Sequence, residues 1–320
     1  MCLTGWRATV IYDKGFNNNI IGDHDAKIKG IIQSQLDVDD LFINTTWLEI
    51  TDELKSLLDK NPKRVICYSG PDWENTICRK EQNDFLKQYD PIYIGNTYGE
   101  HYFSFWLDFV YEHLDKYQSF AIDSTNITTP FMCLNRKPHR HRIELVEILG
   151  SLTSQGYVSL GTTPPVTLDT DISNIEGDNA IAGDLGITND ITSLGHPHNW
   201  NSHFLNVVTE TTIHTNVFLS EKVFKPILGM RPFVILGDDN IYNVLHDWGI
   251  DTFDDLFGTG YRGIWYTDRI KWITQVILDL SKEKDLKGLL QSLQPRLIEN
   301  KKLFKEVALK NRLKIHNMEF

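Results

Sequence analysis

Glu221 and Lys222 stand side by side behind Ser220 in the stretch Phe218-Leu219-Ser220-Glu221-Lys222-Val223-Phe224-Lys225-Pro226. Serine is a favoured helix cap and an acidic residue suits the first turn, so a helix is expected to open there. An ammonium, a carboxylate and the free N–H groups of a helix start suit a ligand that carries both phosphate and vicinal hydroxyls. The ammonium would reach a phosphate while the carboxylate accepts from ribose hydroxyls. A nucleotide sugar is such a ligand, and its departing diphosphate gains charge that cations must stabilise. The bland alternative is an ordinary surface helix start, because a Glu-Lys doublet is commonplace.

Two further places could carry the same chemistry. The run Asn135-Arg136-Lys137-Pro138-His139-Arg140-His141-Arg142 follows an apolar stretch and reads as a basic loop after a strand. Its arginines offer planar forks for phosphate oxygens, and its alternatives are a solvated loop or a patch for a polyanion. Upstream, Tyr68-Ser69-Gly70-Pro71-Asp72-Trp73-Glu74-Asn75 also follows an apolar run. Asp72 and Glu74 are polar residues just after a strand, where ligands of an open α/β sheet bind. A helix-capping turn is the competing reading of those carboxylates. Glu100-His101 is a reserve.

Other patterns weigh less. Asp169-Thr170-Asp171 has the DxD shape of metal-dependent glycosyltransferases but sits in a Thr- and Pro-rich segment. His196, His198 and His203 lack the paired carboxylates or cysteines that would define a metal site. No Walker loop, GxGxxG or GxSxG is present, which removes common nucleotide and hydrolase readings. The four cysteines have no CxxC spacing, so no disulfide framework is expected.

Strand-like apolar runs alternate with amphipathic stretches, as expected of an α/β protein with parallel sheets. Strands are predicted over residues 64–68, 91–95, 131–135, 204–209 and 232–237, and helices over 81–89, 103–114, 143–149 and 241–248. Residues 162–201 should be long and irregular, and the helices after Arg269 should break at Pro295. In an open α/β sheet ligands sit beyond the carboxyl ends of the strands, which is where the three polar clusters fall.

The chain of 320 residues exceeds one ordinary domain, and 41% hydrophobic with 23% charged residues is globular composition. Two domains are expected, over residues 1–127 and 128–320, with the polar stretch around 124–129 between them. The formal charge of -11 disfavours indiscriminate nucleic-acid binding, although the basic run and a basic tail over 301–314 are local exceptions. No apolar run approaches the ~20 residues that span a bilayer, and the start lacks a secretory pattern, so a cytoplasmic protein with no membrane partner is expected.

Val207-Val208-Thr209-Glu210, then Leu219 to Leu228, then Arg231-Pro232-Phe233-Val234-Ile235-Leu236-Gly237 resembles the donor-binding signature of α1,3-fucosyltransferase-like enzymes. In that family an acidic strand end precedes a Thr-Glu-Lys helix start, and here Ser220 takes the place of Thr. Phe131 to Leu149 resembles the family's segment in which the arginine opening a helix neutralises the diphosphate. Arg142 matches that position best, one residue displaced, with Arg140 as the fallback. The Tyr68–Asn75 loop is similar to the family's Tyr-Thr-Gly-Glu-Asn loop, with Pro71 and Asp72 departing from the pattern. The overall look, including Val244 to Phe257, is similar to glycosyltransferase-like proteins encoded by phages.

The resemblance implies a GT-B-like α/β fold: two Rossmann-like domains facing a cleft, the C-terminal helix packing back on the first. It implies a glycosyltransferase moving a sugar from a nucleotide-diphosphate sugar to an acceptor hydroxyl, with inversion and without a tightly bound metal or cofactor. Asp72 or Glu74 would be the base. Asn135, Arg136, Arg140, Arg142, Glu210, Ser220, Glu221, Lys222 and Lys225 would form the donor side. The acceptor would be a glycan or, as a rival, a hydroxymethylated base in phage DNA. A second rival is a non-catalytic protein that binds a nucleotide or glycan.

Overall fold

A computed structural model of the chain describes residues 9–11, 20–37, 39–45, 50–60, 62–69, 84–95, 103–118, 123, 125–161, 190–213, 217–262 and 265–317. These fall into two compact units. The first comprises Met1–Phe109, Asn216–Phe218 and Ala308–Phe320, and the second comprises Val110–Thr215 and Leu219–Val307. The continuous part of the first unit therefore stops at Phe109, ahead of the expected boundary at 127/128, and residues 308–320 belong with it.

The first unit is built on a sheet of β1 (Thr9–Ile11), β2 (Leu41–Asn44), β3 (Val65–Ser69) and β4 (Ile92–Gly95). The strands pair in that order and are all parallel. Helix α1 (Ile20–Gln33) connects β1 to β2, and α2 (Asp52–Leu58) connects β2 to β3. The strict alternation of a strand sends Phe42, Ile66, Tyr68 and Ile94 to one face, where they meet Ile28 and Ile32 of α1 and also Ile315. Leu41, Ile43, Val65 and Cys67 point the other way, onto Leu54 and Leu58 of α2. A sheet covered on both faces needs apolar residues at every position, which is why these strands read as unbroken runs. Helix α3 (Phe105–Glu112) follows β4, and the short α4 (Leu114–Tyr117) follows it.

The second unit holds β5 (Thr129–Asn135), α5 (Arg140–Leu149), β6 (Tyr157–Leu160), α6 (Pro197–Ser202), β7 (His203–Thr209), α7 (Glu221–Leu228) and β8 (Phe233–Leu236). Its parallel sheet has the order β6-β5-β7-β8. The chain leaves β5 for a neighbour on one side, then returns to β7 on the other, so the strand order reverses between β5 and β7. At such a switch point the loops after the two strands part and leave a crevice. Every residue of β7 is buried, as are the four of β8.

Beyond β8 come α8 (Asn240–Asp247), α9 (Asp254–Phe257), α10 (Tyr266–Leu280) and α11 (Leu286–Asn317). The expected break at Pro295 is absent, and α11 runs through it as one helix of 32 residues. A proline inside a helix costs about 3 kcal/mol. Leu290, Leu293, Leu297, Phe304 and Ala308, buried on both sides of the proline, outweigh it. The expected irregular stretch over 162–201 is also corrected at its end, where residues 190–192 form a helical turn and α6 begins at Pro197. The basic run is shorter as a loop than expected, because α5 starts at Arg140.

Candidate functional site

The cluster at the switch point is organised by Glu210, the residue that follows β7. It is fully buried, and burial pushes its carboxyl above the usual range against the pull of Lys222 and the Ser220 hydrogen bonds. The Ser220 backbone N–H donates to its Oε1 across 2.9 Å, and the Ser220 hydroxyl lies 2.8 Å from both carboxylate oxygens. Ser220 is the N-cap of α7, its Oγ accepting from the Lys222 N–H at 3.3 Å. One serine thus caps the helix and fastens its start to the end of β7.

The Lys222 Nζ donates to the same Oγ across 3.0 Å. It also lies 3.2 Å from Glu221 Oε1 and 3.8 Å from Glu210 Oε2. The side chain is 29% exposed, and its ammonium sits between two carboxylates. Glu221 is buried, and among the described residues its second oxygen, Oε2, is enclosed without a hydrogen-bond partner. A buried carboxylate oxygen in that condition is short of a donor.

Asn135 closes β5 on the other side of the crevice. Its side-chain amide donates to the Ser159 carbonyl, and its Oδ1 accepts from the Thr209 hydroxyl at 2.6 Å, so it ties three strands together. Next to it, Gly161 donates its N–H to the Asn135 carbonyl. A Cβ at Gly161 would fall 1.7 Å from the Arg136 carbonyl oxygen, so only glycine lets the loop after β5 run this close to the end of β6.

The basic residues separate sharply. Arg142 is buried and its guanidinium donates to the Lys137 carbonyl at 3.0 Å and to the Thr209 carbonyl at 2.8 Å. It braces the loop and the end of β7 from behind. His141, also buried, donates from Nε2 to the Glu210 carbonyl at 2.8 Å, since a carbonyl can only accept. Arg140 is the exposed one, its Nε donating to Glu144 at 2.7 Å. Arg136 and Lys137 are exposed, and Lys225, near the end of α7, is half-buried. Of the seven-residue basic run, only Arg136, Lys137 and Arg140 are exposed, and the surface offered to a polyanion is smaller than the sequence implies.

His139 was not singled out from sequence. It is the half-buried N-cap of α5, and its ring lies parallel to that of His141 at a centroid distance of 5.9 Å. Burial, then the charges of Arg142, Lys137 and Lys222, hold its imidazole at about 4, so it is neutral at neutral pH.

Asp72 and Glu74 lie outside the described residues, as do Glu100, His101, Asp169 and Asp171. His196, His198 and His203 do not converge on a common point. His196 Nδ1 accepts from the His198 N–H, while His203 is fully buried and donates from Nδ1 to the Asn199 carbonyl. Desolvation, with Arg231 adding to it, holds His203 at about 3.

Neither a protein-family model nor a curated protein sequence matches the chain. A solved structure titled as an alpha1,3-fucosyltransferase is similar, at 12% identity and a TM-score of 0.38, over 95% of this chain and 93% of the other. Among the described residues no helix is long and apolar enough to cross a membrane.

Proposed function

We propose that this protein is a glycosyltransferase whose second unit holds a nucleotide-diphosphate sugar at the β5/β7 switch point. The observation that carries this reading is the buried, donor-less Oε2 of Glu221 beside the partly exposed ammonium of Lys222, both on the first turn of α7. As the ligand enters, the Glu221 side chain turns its enclosed Oε2 outward, and a ribose hydroxyl supplies the missing donor. Lys222 turns its remaining N–H toward the diphosphate. Arg142 contributes charge through its position behind the strand ends rather than through an exposed fork.

In the reaction, an acceptor hydroxyl attacks the anomeric carbon, its proton passes to a carboxylate base, and the bond to the diphosphate breaks with inversion. Lys222 stabilises the charge that develops on the leaving diphosphate. The base is Asp72 or Glu74, and the acceptor is a glycan. No resident metal or cofactor takes part in this scheme.

The test is calorimetric titration of UDP, GDP and CDP into the wild type and into Glu221→Gln and Lys222→Ala. Binding of one nucleoside diphosphate that weakens in both variants supports the reading. Binding that ignores both substitutions, or no binding to the wild type, overturns it.

A further inference from the structure

Glu221 Oε2 is not the one enclosed polar atom at this crevice that lacks a partner. Among the described residues, Nε2 of His139 is also enclosed with no hydrogen-bond partner. The two atoms sit at the starts of different helices, α7 and α5, which follow the two strands flanking the switch point. Contacts join them. His139 lies parallel to His141, His141 donates to the Glu210 carbonyl, and the Glu210 carboxylate lies 3.8 Å from Lys222.

Although His139 is the N-cap of α5, its side chain makes no capping hydrogen bond. The charged groups around it are almost all positive: Arg142 on its own helix, Lys137 on the loop before it, and Lys222 on α7, with the Glu210 carboxylate held by Ser220 at the end of β7. A neutral imidazole among cations is a poor partner for a further cation and a good one for an anion. Burial is the larger reason for the ring's neutrality and the cations add to it; an entering anion offsets the cations and pairs with the protonated ring, which then becomes the better donor.

We propose that His139 is a further ligand contact of this site: its half-buried ring turns as the ligand enters, so that Nε2, enclosed in the unliganded protein, donates a hydrogen bond to a phosphate oxygen of the nucleoside diphosphate, and one proton from solvent enters the complex with the ligand. This rests on the donor-site reading above and adds a partner and a pH dependence to it. The balance is simple, with the proton leaving a solvent acid and ending on the imidazole, and no covalent bond of the ligand changed. Affinity then rises as pH falls, from the neutral range toward the value at which the unliganded ring itself becomes protonated.

Calorimetry with the preferred nucleoside diphosphate, near pH 6 in two buffers of different ionisation enthalpy, measures the protons taken up per ligand. The wild type should take up a large fraction of a proton. His139→Gln, which keeps an N–H donor and fits the space, should take up almost none and bind roughly tenfold more weakly near pH 6, with a smaller loss near pH 8. Nuclear magnetic resonance of the His139 ring in the wild type gives a second readout without a substitution: its titration midpoint should move up from about 4 on addition of the ligand. Equal proton uptake in wild type and variant, or a midpoint that does not move, overturns the role of His139 while leaving the donor site standing. A wild type that binds no nucleoside diphosphate overturns both.

Discussion

The ammonium of Lys222 donates to the Ser220 hydroxyl across 3.0 Å, while that hydroxyl is itself directed at the carboxylate of Glu210. The serine has one proton to give and two lone pairs to receive with, and both capacities are used. Lys222 is therefore aimed by a hydroxyl that a buried carboxylate has already oriented.

Removing that hydroxyl should cost stability as well as affinity. Ser220→Ala leaves Glu210 with fewer donors in a fully buried position and strips α7 of its cap, and a loss of ~1–3 kcal/mol is expected in urea unfolding. Ser220→Thr retains the hydroxyl and should restore most of it.

Lys222→Ala should likewise act on both. Loss of the ammonium leaves the buried carboxylates of Glu210 and Glu221 without their cation, so unfolding should shift by about 1–3 kcal/mol, and Lys222→Met, which keeps the packing of the stem, by a similar amount. Nucleoside-diphosphate affinity should fall ~10- to 100-fold by calorimetry, in line with the loss of a charge-assisted contact.

The two arginines of α5 should behave oppositely. Arg142→Ala leaves the Lys137 and Thr209 carbonyls without their donor inside the fold, and a stability loss of ~2–4 kcal/mol is expected. Arg140→Ala removes a surface pair with Glu144 and should fall within about 0.5 kcal/mol of the wild type. Comparable melting shifts for both would contradict the burial that distinguishes them.

Acid should destabilise the second unit through its histidines. His203, held at about 3 in the folded protein, takes up its proton near the ordinary histidine value of ~6.5 once unfolded. Between those values the unfolded chain binds more protons, so stability is complete above the unfolded value and falls as pH drops, by up to ~1.4 kcal/mol per pH unit. Urea midpoints measured across this range should flatten in His203→Gln.

Substituting the base should leave the donor in place. Asp72→Asn or Glu74→Gln, whichever carries the role, should lower transfer by ~10²–10⁴ with nucleoside-diphosphate affinity unchanged. Transfer that survives the double substitution places the base elsewhere, and a wild type that binds a nucleotide sugar without transferring or hydrolysing it is a binder rather than a transferase.

Much of this arrangement was legible in the sequence because it follows from local rules. The runs at 64–68, 131–135 and 232–237 become strands since both sheet faces are covered, and Ser220-Glu221 opens a helix because serine caps and glutamate suits a first turn. What escaped was anything decided by contacts distant in sequence. A row of cations does not disclose that Arg142 turns inward to the Thr209 carbonyl while Arg140 turns out to Glu144. Nor does it single out His139, whose neutrality is set first by burial in the folded chain and then by the charges of Arg142, Lys137 and Lys222. Pro295 misled for the same reason, because its cost is local and its compensation lies in the buried leucines and Phe304 of α11.

Helix α11 begins in the second unit and ends in the first. Its Ile315 completes the first core, its Asn311 exchanges hydrogen bonds with the backbone of Ser104, and Gln35 donates to the Ile315 carbonyl. On the ribosome, the strands of the first unit emerge well before the residues that seal them, with the whole second unit made in between. The first unit must therefore wait, its hydrophobic face open, until translation has delivered residues 308–317. The second unit, nearly continuous from 110 to 307, can close earlier.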